Sequence, residues 1–379
     1  MLLELHIIQN FAPSNLNRDD TGSPKSCEFG GYRRARISSQ SIKRAIRREF
    51  DAGNLVSPDD RATRSKRFVD EIAQRLAAGG RDATVAPAVA EAGLALLDIT
   101  VAKEQKTQYL LFLGEREVSA VSAFCDQQWD SLAAVTERKG KKDAKDDATK
   151  KLAAELTKSL DGGRAADLAL FGRMLADLPE RNIDAASQVA HAISTHQVSS
   201  EFDYYTAVDD LKPEDTAGAD MIGTVEFNSA CFYRYANVDV AQLSRNLGGD
   251  KELVEGTLRA FLLASRDAIP TGKQNSFAAR NAPAFFCTVV RERGAWSLAN
   301  AFVDPVRRDP NGGLIQASIA ALDIHWGELV AMYGEPAGAQ VTVAALGQPP
   351  LDNLAGHRVG TFDALLDRTL AAARPVQAG

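Results

Sequence analysis

Residues 17–48 read NRDDTGSPKSCEFGGYRRARISSQSIKRAIRR, and this stretch carries the strongest local charge in the chain. From Arg18 to Arg48 there are nine basic residues and three acidic ones, whereas the whole chain of 379 residues has a net charge of -6. A basic patch on an acidic protein is typical of contact with a phosphate-rich partner. No run of Trp, Phe and Leu accompanies the patch, so a membrane surface suits it less well.

The same stretch predicts a turn, a strand and a helix in succession. FGGY at residues 29–32 marks a glycine turn, and residues 33–37 can run extended. Ser38 and Ser39 then offer hydroxyls that can accept from the free N–H groups of a helix. The helix is indicated by a stripe of apolar residues at helical spacing, namely Ile42, Ala45, Ile46 and Phe50.

Basic residues flank this stripe on both sides. Lys43 and Arg47 lie one turn apart on one flank, and Arg44 and Arg48 lie one turn apart on the other. Because the positive end of the helix dipole is close by, the arrangement predicts a phosphate-binding site. The alternative is a solvated cationic face, which is the usual outcome of a charge run.

Four motifs, in order, resemble a known family. They are NLNRDDTG (15–22), FGGYRRARISSQSIKRA (29–45), HAISTHQVSSEFDYYTAVDDL (191–211) and GTVEFNSACFYRYANV (223–238). They are similar to the CasC-type repeated backbone subunit of the type I-E CRISPR surveillance complex called Cascade. The similarity extends to about Val306 and again from Leu314 to Gly334, and it is weak between about Ser57 and Leu168.

The pattern of strands and helices predicts an α+β fold, and the resemblance implies its parts. These are an RRM-like (ferredoxin-like) palm, a mostly helical fingers insertion and a β-hairpin thumb. The expected boundaries are 1–57 for the first part of the palm with the basic RNA-binding segment, 58–190 for the fingers, 191–224 for the thumb and 225–379 for the second part of the palm with C-terminal helices.

The resemblance also implies a function without catalysis. Many copies would bind one CRISPR RNA along its spacer and present it for pairing with invading target DNA, with base pairing supplying the sequence choice. The expected partners are CRISPR RNA, target DNA through the guide, further copies of the chain and other Cascade subunits. No cofactor or metal is expected.

The expected RNA contacts come from the resemblance and from composition. The resemblance places contacts at Arg18, Lys25, Ser39, Gln40, Lys43 and Arg47, with a further carry-over to Arg307 and Arg308. The flank of the predicted helix adds Arg44, and a loop rich in glycine, amides and cations (TGKQNSFAARNAP) adds Lys273, although a plain surface loop is an open alternative.

A second group of residues is expected to face nucleobases. Phe202, Tyr204 and Tyr205 lie within four positions, and a hairpin cannot bury such rings in a core of its own. Their partner is either bases or protein, from a neighbouring subunit or the parent domain. The resemblance favours bases and places Met174, Tyr204, Tyr205 and Ile222 beside them. From spacing alone, Met174 and Phe171 would instead form a core-facing pair.

Two other functions remain open from the residues. Asp19 and Asp20 could hold a metal ion for a ribonuclease of the same superfamily, or they could cap the turn and orient Arg18. A free-standing protein that binds single-stranded RNA is the other alternative. His6 is interpreted as a hydrogen-bonded strand residue and not as a base, because no second histidine or carboxylate is close in sequence.

Several features exclude other classes. The four cysteines form no CxxC pair, and His191 and His196 are five apart, which is off the helical spacing of a zinc pair. No apolar run approaches a membrane span and the N-terminus lacks a leader pattern, so a cytoplasmic protein is expected. The mixed charges of residues 139–151 predict disorder or a solvated connection.

The remaining elements follow from periodicity and punctuation. Residues 223–238 are predicted to form a half-buried strand, and Asp184 is predicted to cap a helix that runs through Ile193. Further strands are expected at 2–11 and 284–291, with a possible one at 109–113. Further helices are expected from 239 to 248, 251–268, 315–333 and 362–373.

Overall fold

The structure is a computed structural model that describes residues 1–138, 147–159, 163–175, 179–207, 221–308, 313–335 and 338–374. Most of the charged segment predicted at 139–151 lies outside these ranges, and its residues 147–151 begin a helix. Mixed α and β structure is present throughout, which confirms the α+β class.

The strands are numbered in chain order. They are β1 (Leu2–Ser14), β2 (Ser26–Phe29), β3 (Tyr32–Ile37), β4 (Ala62–Ser65), β5 (Leu111–Gly114), β6 (Ser187–Val189), β7 (Ala192–Ser194), β8 (Glu201–Ala207), β9 (Met221–Asp239), β10 (Phe285–Arg291) and β11 (Gln340–Ala345).

The helices are numbered in the same way. They are α1 (Ser39–Ala52), α2 (Phe68–Ala78), α3 (Ala86–Leu96), α4 (Glu115–Gln127), α5 (Trp129–Arg138), α6 (Asp147–Ser159), α7 (Ala166–Phe171), α8 (Val240–Asn246), α9 (Lys251–Asp267), α10 (Gln274–Phe277), α11 (Gly313–Tyr333) and α12 (Phe362–Ala373). None of the helices in the described ranges is long and apolar enough to cross a membrane.

The chain divides into two units, formed by residues 1–55, 187–240 and 258–379 and by residues 56–186 and 241–257. The first unit is built on an antiparallel sheet with the strand order β11-β10-β1-β9-β7-β3-β2. Strands β6 and β8 also pair with β9. β1 lies between β9 and β10, so that His6 is opposite Tyr235 on one side and Cys287 on the other.

Burial explains the central position of β1 in the sheet. Seven consecutive residues of this strand, 3–9, are buried, which is typical of a strand covered on both faces. One face belongs to an apolar core that includes Ile8, Tyr233, Phe285 and Trp326, the last from α11. The prediction that β9 is half-buried is wrong for residues 230–234, which are buried whichever face they occupy. Arg234 lies on the face away from that core, and its guanidinium donates to Gln9 Oε1 over 2.5 Å.

The region from Asp184 to Ile193 does not form the predicted helix. Its residues form β6 and β7 instead, and both strands pair with β9. Hydrogen bonding to the edge of a long strand outweighs the weak helical preference of the segment, which is a tertiary effect that local sequence does not report. The other strands and helices begin within about two residues of the predicted positions.

The second unit is mainly helical, with a core supplied largely by α2, α3 and α4 and with one small sheet of β4 and β5. A buried ion pair joins its parts. The guanidinium of Arg173 donates to Glu117 Oε2 over 2.6 Å and to the carbonyl oxygen of Phe112 over 3.2 Å. The same carboxylate accepts from the backbone N–H of Gly114 at the start of α4.

We expect Glu117→Gln to destabilise the second unit by about 3 kcal/mol, because the change leaves the buried guanidinium of Arg173 without its counter-charge. Urea unfolding measures this difference in the free energy of unfolding. Glu71→Gln is the matched control, since Glu71 pairs with Arg75 on the surface one helical turn away; it should cost less than about 1 kcal/mol. Equal losses in the two variants would contradict a structural role for the buried pair.

Candidate nucleic-acid interface

The predicted turn, strand and helix of residues 29–52 are present. β2 and β3 form a hairpin that Gly30 and Gly31 close with φ of 62° and 79°. A Cβ on Gly30 would lie 2.1 Å from the carbonyl oxygen of Val303, so no other residue fits there. α1 begins after Ser38, whose Oγ accepts from the N–H of Ser41. Its buried residues are the predicted Ile42, Ala45, Ile46 and Phe50.

Arg34 is the member of the basic stretch that the structure removes from the surface. Its side chain is fully buried. The guanidinium donates to the carbonyl oxygens of Ser194 and Thr195 at 3.2 and 2.9 Å, and to those of Phe302 and Val303 at 2.8 and 3.0 Å. Arg34 therefore holds two chain segments together, and it is not available to an external phosphate.

Three other arginines line a pocket of about 530 Å³ beside α1. They are Arg18, Arg44 and Arg48, and all three side chains are exposed. We call this site the arginine pocket. The rest of its lining comes from the turn after β1, the inner side of α1 and one loop, namely Leu16, Asn17, Asp19, Asp20, Thr21, Gly22, Ser41, Ala45, Pro270, Thr271 and Gly272.

The two acids of the pocket differ in their surroundings. Asp19 Oδ1 accepts from the N–H and hydroxyl of Thr21 at 3.0 and 2.7 Å and from the N–H of Ser23 at 3.0 Å. These bonds, the Thr21 hydroxyl first, lower the pKa of Asp19. Asp20 is exposed, and within the described ranges its carboxylate makes no hydrogen bond or ion pair. The turn-capping interpretation is thus confirmed for Asp19.

The described part of the chain contains no group of three or more His, Cys, Asp and Glu side chains arranged to hold a metal ion. His6 is buried, and its Nδ1 lies 2.9 Å from the hydroxyl of Tyr233. Burial, together with the charge of Arg291, lowers the pKa of His6 to about 3. This confirms the interpretation of His6 as a hydrogen-bonded strand residue.

The other flank of α1 is less exposed. Lys43 and Arg47 are both half-buried, and burial lowers the pKa of Lys43. Lys25 and Arg36 line a separate, narrow cavity on the side of β3. Arg36 Nη1 lies 2.9 Å from His191 Nδ1. The pKa of His191 is lowered mainly by burial, and also by the positive charges of Arg36 and Lys25. The cations of the basic stretch therefore do not form one continuous site.

The remaining predicted RNA contacts have separate positions. Ser39 and Gln40 form the first turn of α1. Lys273 directly follows Gly272 of the arginine pocket and has a left-handed backbone with φ of 50°. Arg307 and Arg308 are exposed but do not line the pocket. Arg48 is not among the predicted contacts, although the sequence already places it one turn from Arg44 on the same flank of the helix.

The predicted thumb residues lie on an antiparallel hairpin of β8 and β9. Tyr204 is opposite Thr224 and Tyr205 is opposite Gly223. A Cβ on Gly223 would lie 2.3 Å from the ring of Tyr205, so this ring covers the glycine. Because side chains alternate along a strand, Tyr204 points to the opposite face, which it shares with Phe202. The exposed fractions are 69% for Phe202, 63% for Tyr204 and 43% for Tyr205.

Met174 and Ile222 complete the predicted base-facing group. Met174 belongs to the second unit, and its side chain is 83% exposed, so the alternative of a core-facing pair with Phe171 is wrong. The physical reason is that α7 ends at Phe171 and Arg173 then forms a β-bridge with Ile183, so successive side chains alternate, with Arg173 buried and Met174 outside. Ile222 lies on β9, and its side chain is outside the described part of the structure.

Comparisons with known proteins agree along the whole chain. The model of the CT1975-like protein family matches residues 3–368. A chain described as "CRISPR RNA-guided surveillance complex, pre-nicking" is 32% identical with a TM-score of 0.84, covering 98% of this chain and 100% of that one. A chain of another "CRISPR RNA-guided surveillance complex" is 29% identical with a TM-score of 0.76, at the same coverage. No curated protein matches the chain.

We expect Arg34→Lys to lower the free energy of unfolding by at least ~2 kcal/mol. A lysine has a single ammonium group, and it cannot reproduce the planar fork that serves four buried carbonyl oxygens. Chemical denaturation measures the loss. The neighbouring Arg33→Lys is the control, because Arg33 is exposed and its exchange should change stability by less than about 0.5 kcal/mol. A loss confined to Arg33→Lys would refute the structural role of Arg34.

Proposed function

The chain belongs to the CT1975-like protein family, and from this premise we propose that it is a backbone subunit of a type I-E CRISPR surveillance complex. Several copies assemble along one CRISPR RNA, bind it along its spacer, and present its bases for pairing with invading target DNA. The other Cascade subunits complete the assembly, which acts in the cytoplasm. The chain itself carries out no catalysis in this proposal.

The arginine pocket is the observation that carries the proposal. It places three exposed arginines along α1 and the turn after β1, in a chain similar over 98% of its length to chains of CRISPR RNA-guided surveillance complexes. Guanidinium groups bind phosphates through paired hydrogen bonds, and phosphates are the same at every position of an RNA. A protein that grips the backbone leaves the base edges free, so that base pairing supplies the specificity.

The proposed RNA contacts extend from the pocket along the basic stretch. Arg48 is added to the predicted set because it lines the pocket together with Arg18 and Arg44. The full set is Arg18, Lys25, Ser39, Gln40, Lys43, Arg44, Arg47, Arg48, Lys273, Arg307 and Arg308.

The predicted parts of the fold take their roles from the same proposal. The first and last parts of the chain, 1–57 and 225–379, form an RRM-like palm, and residues 58–190 form the fingers. Residues 191–224 form the thumb, which reaches the next copy and displaces one base at each junction with Met174, Tyr204, Tyr205 and Ile222. The exposure of Met174 and of the hairpin aromatics supports this assignment, because such side chains are available to a partner.

We expect the double variant Arg44→Gln with Arg48→Gln to weaken binding of CRISPR RNA by a similar factor for every spacer sequence. Each lost phosphate contact should also reduce the salt slope of log K by about 0.7, the value for single strands. Fluorescence anisotropy at several salt concentrations measures both quantities. Arg259→Gln is the control, since Arg259 is exposed on α9 and lies outside the pocket. An unchanged salt slope in the double variant would contradict the proposal.

We expect deletion of residues 200–222, with glycines joining the ends, to give a folded protein that cannot assemble. In the proposed assembly the exposed hairpin of one copy contacts the next copy head to tail. Such contacts build open chains, and a copy without its hairpin cannot make them. Sizing of the RNA complex by light scattering separates a monomer on RNA from an assembly. Normal assembly by the deletion variant would rule out the thumb.

The same RNA mixtures test the enzymatic alternative. Cleavage of labelled RNA in magnesium that is lost in Asp20→Ala would identify a ribonuclease instead of a backbone subunit.

A further inference from the structure

The acidic residues of the arginine pocket indicate a ligand that carries hydrogen-bond donors in addition to a phosphate. A site for phosphate alone is served best by cations and N–H groups, yet this pocket sets two carboxylates beside three guanidiniums. Thr21, Ser41 and Thr271, which carry hydroxyl groups, also line it. The ligand that matches this lining has an anionic end and a part that donates hydrogen bonds from hydroxyl groups.

Asp19 is already occupied by the turn that it caps, through bonds to Thr21 and Ser23. Asp20 has no such use. Its carboxylate is exposed and without a hydrogen-bond or ion-pair partner among the described residues, although guanidiniums line the same pocket. A carboxylate is an acceptor only, and it therefore binds a donor such as a sugar hydroxyl.

The pocket also has the size for such a ligand. Its volume of about 530 Å³ is within the range of small-molecule sites. Its wall is fixed by close backbone contact, because a Cβ on Gly272 would lie 2.4 Å from the carbonyl oxygen of Leu16.

We propose that the arginine pocket holds one ribonucleotide of the bound strand, with its phosphate on Arg18, Arg44 and Arg48 and its ribose 2′-hydroxyl donating to the carboxylate of Asp20. This inference rests on the proposed function and adds to it the means of distinguishing RNA from DNA. The 2′-hydroxyl is the group by which the two nucleic acids differ at any position. Asp20 is then a specificity-determining residue and not a metal ligand.

The sign of the effect separates this role from simple charge repulsion. Asp20→Ala removes both the negative charge and the acceptor, and loss of repulsion alone would make the variant bind RNA and DNA more tightly by the same factor. A lost bond to the 2′-hydroxyl instead weakens RNA binding while DNA binding stays equal or improves. We expect the ratio of RNA to DNA affinity to fall about tenfold, the usual scale for one hydrogen bond to a charged group.

The experiment measures the affinity of the full chain for a single-stranded RNA, for DNA of the same sequence, and for the same RNA with 2′-fluoro sugars. The 2′-fluoro strand keeps the RNA-like sugar pucker but cannot donate, so wild type should bind it as it binds DNA. Asp20→Ala should bind all three strands alike. Glu28→Ala is the matched control, because Glu28 is an exposed acid of the same stretch outside the pocket; its RNA to DNA ratio should equal that of wild type.

Three results would overturn the inference. An equal change of RNA and DNA affinity in Asp20→Ala would show that the carboxylate acts only by repulsion. Loss of the RNA preference on chelation of divalent ions would make Asp20 a metal ligand. Equal binding of RNA and 2′-fluoro RNA by wild type would leave no role for the hydroxyl. In each case the RNA still binds and the proposed function stands, whereas failure of wild type to bind RNA at all would remove both.

Discussion

The guanidinium of Arg34 donates to four backbone carbonyl oxygens from two segments far apart in sequence, 194–195 and 302–303. Burying a charge is costly unless it is well hydrogen-bonded, and here most of its donors meet an acceptor. The cluster fixes β3 against β7, since the Ser194 hydroxyl also accepts from the N–H of Ala35. The position of α1, which follows β3 directly, depends on this anchor.

Two buried carboxyl groups organise loop backbone in a similar way. The carboxylate of Asp323 on α11 accepts from the N–H groups of Asp352, Asn353 and Leu354 and so holds the loop before α12. Glu4 pairs with Arg291 across neighbouring strands and accepts from the N–H of Trp296. In each case one buried side chain organises backbone that has no regular partner, which fixes irregular loops in one conformation.

Buried and exposed arginines of the basic stretch have different roles. Arg34 belongs to the same stretch as Arg18, Arg44 and Arg48. Its hydrogen bonds stabilise the fold, whereas the other three arginines line a pocket. A hydrogen bond also makes the pocket rigid. The N–H of Ser38 donates to Asn17 Oδ1 and so ties the turn after β1 to the start of α1. A preorganised site loses less entropy when it binds a strand.

Local chemistry was sufficient for much of this fold. Capping and periodicity predict the Ser38 cap, the buried stripe of α1 and the long strands β1 and β9. These signals lie within a few neighbouring residues and need no tertiary contact. The presence of a basic site was likewise evident from composition. Which arginine is buried was not, because the acceptors of Arg34 are about 160 residues or more away in sequence. Only the tertiary structure could also pair 187–194 with β9, since hydrogen bonds between strands far apart in sequence decide this pairing.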